Sequence, residues 1–229
     1  MTPQSTTAKT VLVTAFEPFG GSRVNPSKEA ALLLSGWQIP ERCPPDLKIL
    51  VDLLPVVGGA GQGSGVGELI ARLRELRPDV LVALGESGQA TAITLERVAV
   101  NLRDYRIPDN QGTVVSDQPV VVGGPDAYFA TLPLRAMQAA IQGLGIPAEL
   151  SMSAGTFLCN ELMYAALNYA ATEQPGLIAG FIHVPQLPEQ VVEAGRGRAS
   201  MDRLTIARGV AAALSALSAP SAPSAKSAR

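Results

Sequence analysis

Strand-length apolar runs alternate along the chain with segments whose apolar residues recur every three or four positions. "TVLVTAF" (10–16), "LKILVDLLP" (47–55) and "DVLVALG" (79–85) read as β-strands. The third is apolar throughout, as expected of a strand covered on both faces. Between them lie two helical patterns. "NPSKEAALLLSGW" (25–37) has Asn25 as N-cap and Pro26 at its first position, and "GELIARLRELRP" (67–78) is stopped by Pro78. "AITLERVAVNL" (92–102) reads as extended with charge at its middle, and "PLRAMQAAIQGLG" (133–145) as a helix closed by glycine. "AELSMS" (148–153) is a strand entering "SAGTFLCNELMYAAL" (153–167), a turn running into an amphipathic helix. "GLIAGFIHVP" (176–185) is another apolar strand and "LTIARGVAAALSAL" (204–217) a closing helix. This alternation predicts one α/β domain over residues 1–217, with a largely parallel sheet between helical layers. No repeat is evident, and the Ala/Ser/Pro-rich stretch 218–229 predicts a disordered tail.

Composition narrows the function classes. A net charge of −2 with no basic block gives nucleic-acid binding no electrostatic support. The longest apolar runs fall short of a membrane span, and the polar N-terminus lacks the core of a signal peptide, which points to a cytoplasmic protein. The cysteines are Cys43 and Cys159 and the single histidine is His183, so neither a disulfide framework nor a zinc-spaced cluster is expected.

Cys159 falls in or near the first turn of its helix, where unpaired backbone N–H groups favour a thiolate. A histidine base for it can only be His183, at the end of the last apolar strand. Ligands in open parallel sheets bind beyond the carboxyl ends of strands, and the Cys159 helix follows directly on a strand, so both groups are expected on one rim. The alternative is a capped surface histidine and a buried cysteine. A Cys–His pair needs a third group to orient the imidazole. Glu96 interrupts an apolar stretch, where a carboxylate is costly unless paired; it is equally readable as an exposed residue on the outer face of an edge strand beside Arg97. Phe16 suits a core, whereas Phe19, between Pro18 and Gly20, suits a pocket wall, and Phe157 lies close to the cysteine. The "FGGSRVNPS" loop lacks both common phosphate-binding glycine patterns.

Together these segments resemble the pyrrolidone carboxyl peptidase (pyroglutamyl peptidase I) family of cysteine peptidases, from Val11 to about Val184. "TAFEPFGGSRVNPS" is similar to the family's N-terminal loop, and "GESGQATAITLERVAVN" (85–101) satisfies every position of its glutamate signature. "YRIPDNQG", "SAGTFLCN" and "GFIHVP" are similar to its following loop, cysteine motif and histidine motif. The resemblance implies a three-layer α/β/α fold with a twisted, largely parallel mixed sheet, like that of purine nucleoside phosphorylases. It implies Cys159 as nucleophile, His183 as general acid/base and Glu96 as the group orienting it. The implied activity is release of N-terminal pyroglutamate from peptides through a thioester, with no cofactor or metal, in a homo-oligomer, commonly a tetramer. A slot between Phe16, Phe19, Phe157 and Leu158 would bury the lactam ring, and Arg106 would add positive potential. One position departs from the pattern. Glu86 stands where the family usually has glutamine, in or near the pocket, where its charge is expected to raise the thiol pKa. Two further readings are a relative that binds N-blocked peptides without cleaving them, which Glu86 would favour, and a nucleoside phosphorylase-like enzyme, for which no phosphate site is evident.

Overall fold

The computed structural model describes residues 8–35, 44–193 and 197–218. Cys43, the end of the first predicted helix and nearly all of the predicted tail lie outside the described residues. Among those residues, six strands form one sheet: β1 (Lys9–Phe16), β2 (Leu47–Leu54), β3 (Val80–Glu86), β4 (Ile93–Glu96), β7 (Ala148–Ser151) and β8 (Ile178–Val184). Their order across the sheet is β2-β1-β3-β8-β4-β7. The first four are mutually parallel, β4 runs antiparallel to β8, and β7 runs parallel to β4. The remaining strands, β5 (Val98–Val100) and β6 (Ala127–Phe129), pair antiparallel in a separate ribbon. The predicted segment 92–102 is therefore divided at Arg97, with β4 in the main sheet and β5 outside it.

Alternation along the strands sends side chains to two cores. On one face Val80, Val82, Leu84, Ile182 and Val184 join residues of α1 (Pro26–Ser35), α3 (Leu134–Gly143) and α6 (Arg203–Ser215). On the other, Leu81, Ala83, Ala179 and Phe181 join α2 (Gly65–Leu76) and α4 (Leu158–Thr172). The layers are thus helix, sheet, helix, with a short α5 (Pro188–Glu193) following β8. Among the described residues no helix is long and apolar enough to cross a membrane.

Local chemistry sets the helix boundaries. Ser64 caps α2 by accepting a hydrogen bond from the Gly67 N–H. The helix ends at Arg77, which takes a left-handed conformation (φ 42°) just before Pro78. The helix carrying Cys159 departs from its predicted amphipathic character. Leu158, Asn160 to Leu167 and Tyr169 are all buried, because α4 is enclosed by the main sheet, α2 and the β5–β6 ribbon.

Candidate active site

His183, on β8, stands opposite Gly85 of β3 and Thr94 of β4, at the rim where the parallel strands end. It shares the α4-side face of the sheet with Phe181 and, two residues along β4 from Thr94, with Glu96. Glu96 is only 2% exposed. Its strand is interior, with β7 at the sheet edge, so the reading of an exposed edge-strand glutamate is excluded. Glu96 Oε1 lies 2.8 Å from His183 Nδ1. That contact commits Nδ1 to the carboxylate and leaves Nε2 for the side of Cys159, whose sulfur packs against Gly85, the register partner of His183.

Cys159 reaches the same rim by a route that differs from the expected one. Because β7 is antiparallel to β8, its carboxyl end, Ser151, is level with Glu96 and Phe181, below His183. Residues 152–157 carry the chain back up, with Gly155 at φ 77°. The carboxyl-end rule thus accounts for His183, while a loop delivers the thiol. Cys159 is the second residue of α4, and the N-cap, Phe157, offers no side-chain acceptor to the first-turn N–H groups. Close approach is made possible by Gly85, where a Cβ would stand 3.0 Å from Cys159 Sγ and 2.6 Å from the Phe181 ring.

The electrostatics of the trio are coupled. Burial, the largest influence on His183, by itself favours the neutral ring; the Cys159 thiolate and the Glu96 carboxylate outweigh it and lift the imidazole pKa to about 10. The two acidic neighbours thus favour the protonated form of the ring despite its burial.

The trio lies in a cleft of about 970 Å³ that also takes in Phe16, Phe19, Glu86, Arg106, Phe157 and Leu158. All nine residues singled out from the sequence therefore line one cavity. Phe16 and Leu158 are buried. Phe19 and Phe157 stand half-buried with ring centroids 6.3 Å apart, and Arg106 is an exposed side chain on the wall. Glu86 sits at the cleft but on the opposite face of β3 from Gly85, the residue against which the sulfur packs. Its two carboxylate oxygens accept from Gln186 Nε2 (2.8 Å) and Gln190 Nε2 (3.1 Å). The charge expected beside the nucleophile is thus turned toward α5 and met there by two carboxamides.

Several contributors went unrecognised in the sequence. Asn160, 1% exposed, accepts from the Val100 N–H and donates to the Val100 and Leu102 carbonyls at 2.9 Å each, tying the start of α4 to the β5 segment. Gln190 also donates to Ser22 Oγ at 3.2 Å, joining α5 to the Phe19 loop. A polar residue inside an apolar helix is a usable signal for Asn160; nothing local marks Gln186 or Gln190. Among the described residues no group of three or more His, Cys, Asp or Glu side chains is placed to hold a metal ion.

The family described as "Pyroglutamyl peptidase" matches residues 9–219. A pyrrolidone-carboxylate peptidase of Chromobacterium violaceum is 48% identical over 184 residues, covering 80% of this chain and 81% of the relative. One of Pyrococcus furiosus is 42% identical over 190 residues, 82% of this chain and 86% of its own. The crystal structure of pyroglutamyl peptidase I from Bacillus amyloliquefaciens superposes with a TM-score of 0.80 at 37% identity, covering 91% of this chain and 97% of that one. The three-layer α/β/α fold with a mainly parallel mixed sheet is therefore shared with solved members, and the chain belongs to the pyroglutamyl peptidase family.

Proposed function

We propose that this protein is a cysteine peptidase that hydrolyses the amide after an N-terminal pyroglutamate, with Cys159 as nucleophile, His183 as acid and base, and Glu96 orienting His183. The observation that carries the reading is the contact of His183 with both Glu96 and Cys159 inside a cleft walled by Phe16, Phe19, Phe157 and Leu158. The thiolate attacks the carbonyl carbon, forming a C–S bond and an oxyanion. First-turn N–H groups of α4 are the available donors for that oxyanion, and donors of this kind are worth about 3 kcal/mol each. The intermediate collapses as the C–N bond breaks and the leaving amine takes the proton from His183. Water then attacks the thioester, giving a proton to the imidazole; the C–S bond breaks, free pyroglutamic acid leaves and the thiolate is restored.

Specificity follows from desolvation. The lactam ring is compact, apolar on its faces and uncharged, which matches the aromatic slot. A peptide with a free N-terminus would have to strip water from an ammonium there, at a cost of several kcal/mol. The position of Glu86, across β3 from the sulfur and bonded to two glutamines, supports turnover over mere binding. The test is hydrolysis of a pyroglutamyl anilide by the purified protein, with and without iodoacetamide. Cys159→Ser should fold normally and lose at least about 1,000-fold in kcat. Undiminished turnover in that variant would remove Cys159 from the mechanism.

A further inference from the structure

One buried carboxylate plays no part in the chemistry above. Glu161 lies two residues after Cys159, in the first turn of α4, and is 2% exposed. A charge so deep in an apolar layer requires donors, and three surround it. Oε1 accepts from the Gly59 N–H at 2.8 Å and lies 3.8 Å from Arg103 Nη1, while Oε2 accepts from the Tyr105 hydroxyl. Tyr105 is itself buried, and burial together with the facing carboxylate raises its phenol pKa, so it stays a donor across the working range. The fit is tight: a Cβ on Gly58 would stand 2.1 Å from the Tyr105 hydroxyl oxygen.

Tyr105 reaches the slot only through Phe157, which lines it. Its ring meets Phe157 edge to face, with centroids 5.0 Å apart and planes at 83°, and Phe157 in turn stands against Phe19. Phe157 is also the N-cap of α4, and its carbonyl accepts from the Glu161 N–H at 3.1 Å. The Glu161 side chain therefore bears, through Tyr105, on one side of the Phe157 ring, while its main-chain N–H closes the helix turn that starts at Phe157. We propose that Glu161 is a positioning residue for substrate recognition, locking Tyr105 so that Phe157 forms a rigid wall of the ring slot. The inference rests on the slot assignment above, and it concerns binding of the lactam rather than reactivity of the thiol.

The two roles separate experimentally. Alkylation of Cys159 by iodoacetamide reads the thiol alone, and protection from alkylation by 2-pyrrolidone reads occupancy of the slot without any turnover. An edge-to-face aromatic contact contributes enough to shift affinity by up to about tenfold. In Glu161→Ala and Tyr105→Phe the half-protecting concentration of 2-pyrrolidone, and KM for a pyroglutamyl anilide, should rise about three- to tenfold. Unprotected alkylation and kcat should stay within about twofold, and Glu161→Gln, which retains an acceptor, should fall between wild type and Glu161→Ala. A purely structural role would lower Tm and leave protection and KM unmoved, which overturns the proposal. Alkylation slowing in step with KM also overturns it, since Glu161 would then act on the thiol. If Glu161→Ala fails to fold, Tyr105→Phe carries the same decision. Wild type that is protected by 2-pyrrolidone but silent on the anilide would sink the peptidase reading alone; wild type that is not protected would sink this inference.

Discussion

At the scale of single residues, the decisive feature is that His183 is buried against the Glu96 carboxylate while Cys159, at the same rim, lines the cleft. Glu96 supports the imidazolium in two ways, by its charge and by its 2.8 Å contact with Nδ1. Replacing it with glutamine keeps an acceptor for Nδ1–H and deletes the charge, so the His183 pKa should fall from about 10. Because the proposed mechanism requires protonated His183, the alkaline limb of kcat/KM should move to lower pH in Glu96→Gln. The loss of a charged hydrogen bond predicts a fall in kcat of about 10- to 100-fold. An unshifted alkaline limb would mean that Glu96 does not set the protonation of His183. The individual chemistry was legible here: a lone histidine, a helix-start thiol and a carboxylate amid apolar residues each carry their own local signal. Local pattern left Glu96 between orienting His183 and an exposed edge position; the resemblance pointed to His183, and packing brings the two together across 87 residues.

Elements decide how close these groups come. In β4, "ITLE", Ile93 and Leu95 enter the core beneath α3 and α6, and Thr94 and Glu96 face α4. The alternation was visible in the sequence, but which face would be the chemical one depended on β4 lying between β8 and β7. The reversed direction of β4 and β7 was invisible, because strand polarity is set by pairing partners and leaves no mark on a four-residue run. Gly85 shows the element-scale tolerance most sharply. Gly85→Ala would wedge a methyl group 2.6 Å from the Phe181 ring and 3.0 Å from the sulfur. Overpacking of this sort costs about 1–3 kcal/mol, and displacing a nucleophile by about 1 Å can cost on the order of 100-fold in rate. Reporter kinetics alongside urea unfolding should therefore show a loss of turnover well beyond what the stability change explains. Near-normal kcat in Gly85→Ala would mean that the sulfur has more room than the structure allots it.

For the molecule as a whole, the site feeds back on folding. His183 has an ordinary pKa near 6.5 in an unfolded chain and about 10 in the fold, so the native state holds that proton more tightly. Its stabilising contribution is complete below about pH 6.5 and is lost progressively as pH rises through 10. Melting curves across that window should show Tm of the wild type falling more steeply than Tm of His183→Gln, which lacks the titration. Parallel curves would mean that His183 is not stabilised as an imidazolium. The cleft itself draws on segments from across the chain: the N-terminal loop, β3, β4, the Arg106 loop, the start of α4 and β8 all line it.

The amino-acid sequence by itself determined the alternating α/β plan and the placement of Cys159 at a helix start, both local properties written in apolar periodicity and capping residues. The set of side chains expected at the cleft drew also on the resemblance to a known family. Tertiary structure alone decided the antiparallel turn of β4 and β7, the all-round burial of α4, the turning of Glu86 toward Gln186 and Gln190, and the Glu161–Tyr105–Phe157 contact. Each of those joins segments distant along the chain through pairing and packing, and free energies of that kind exist only once the partner surfaces have met.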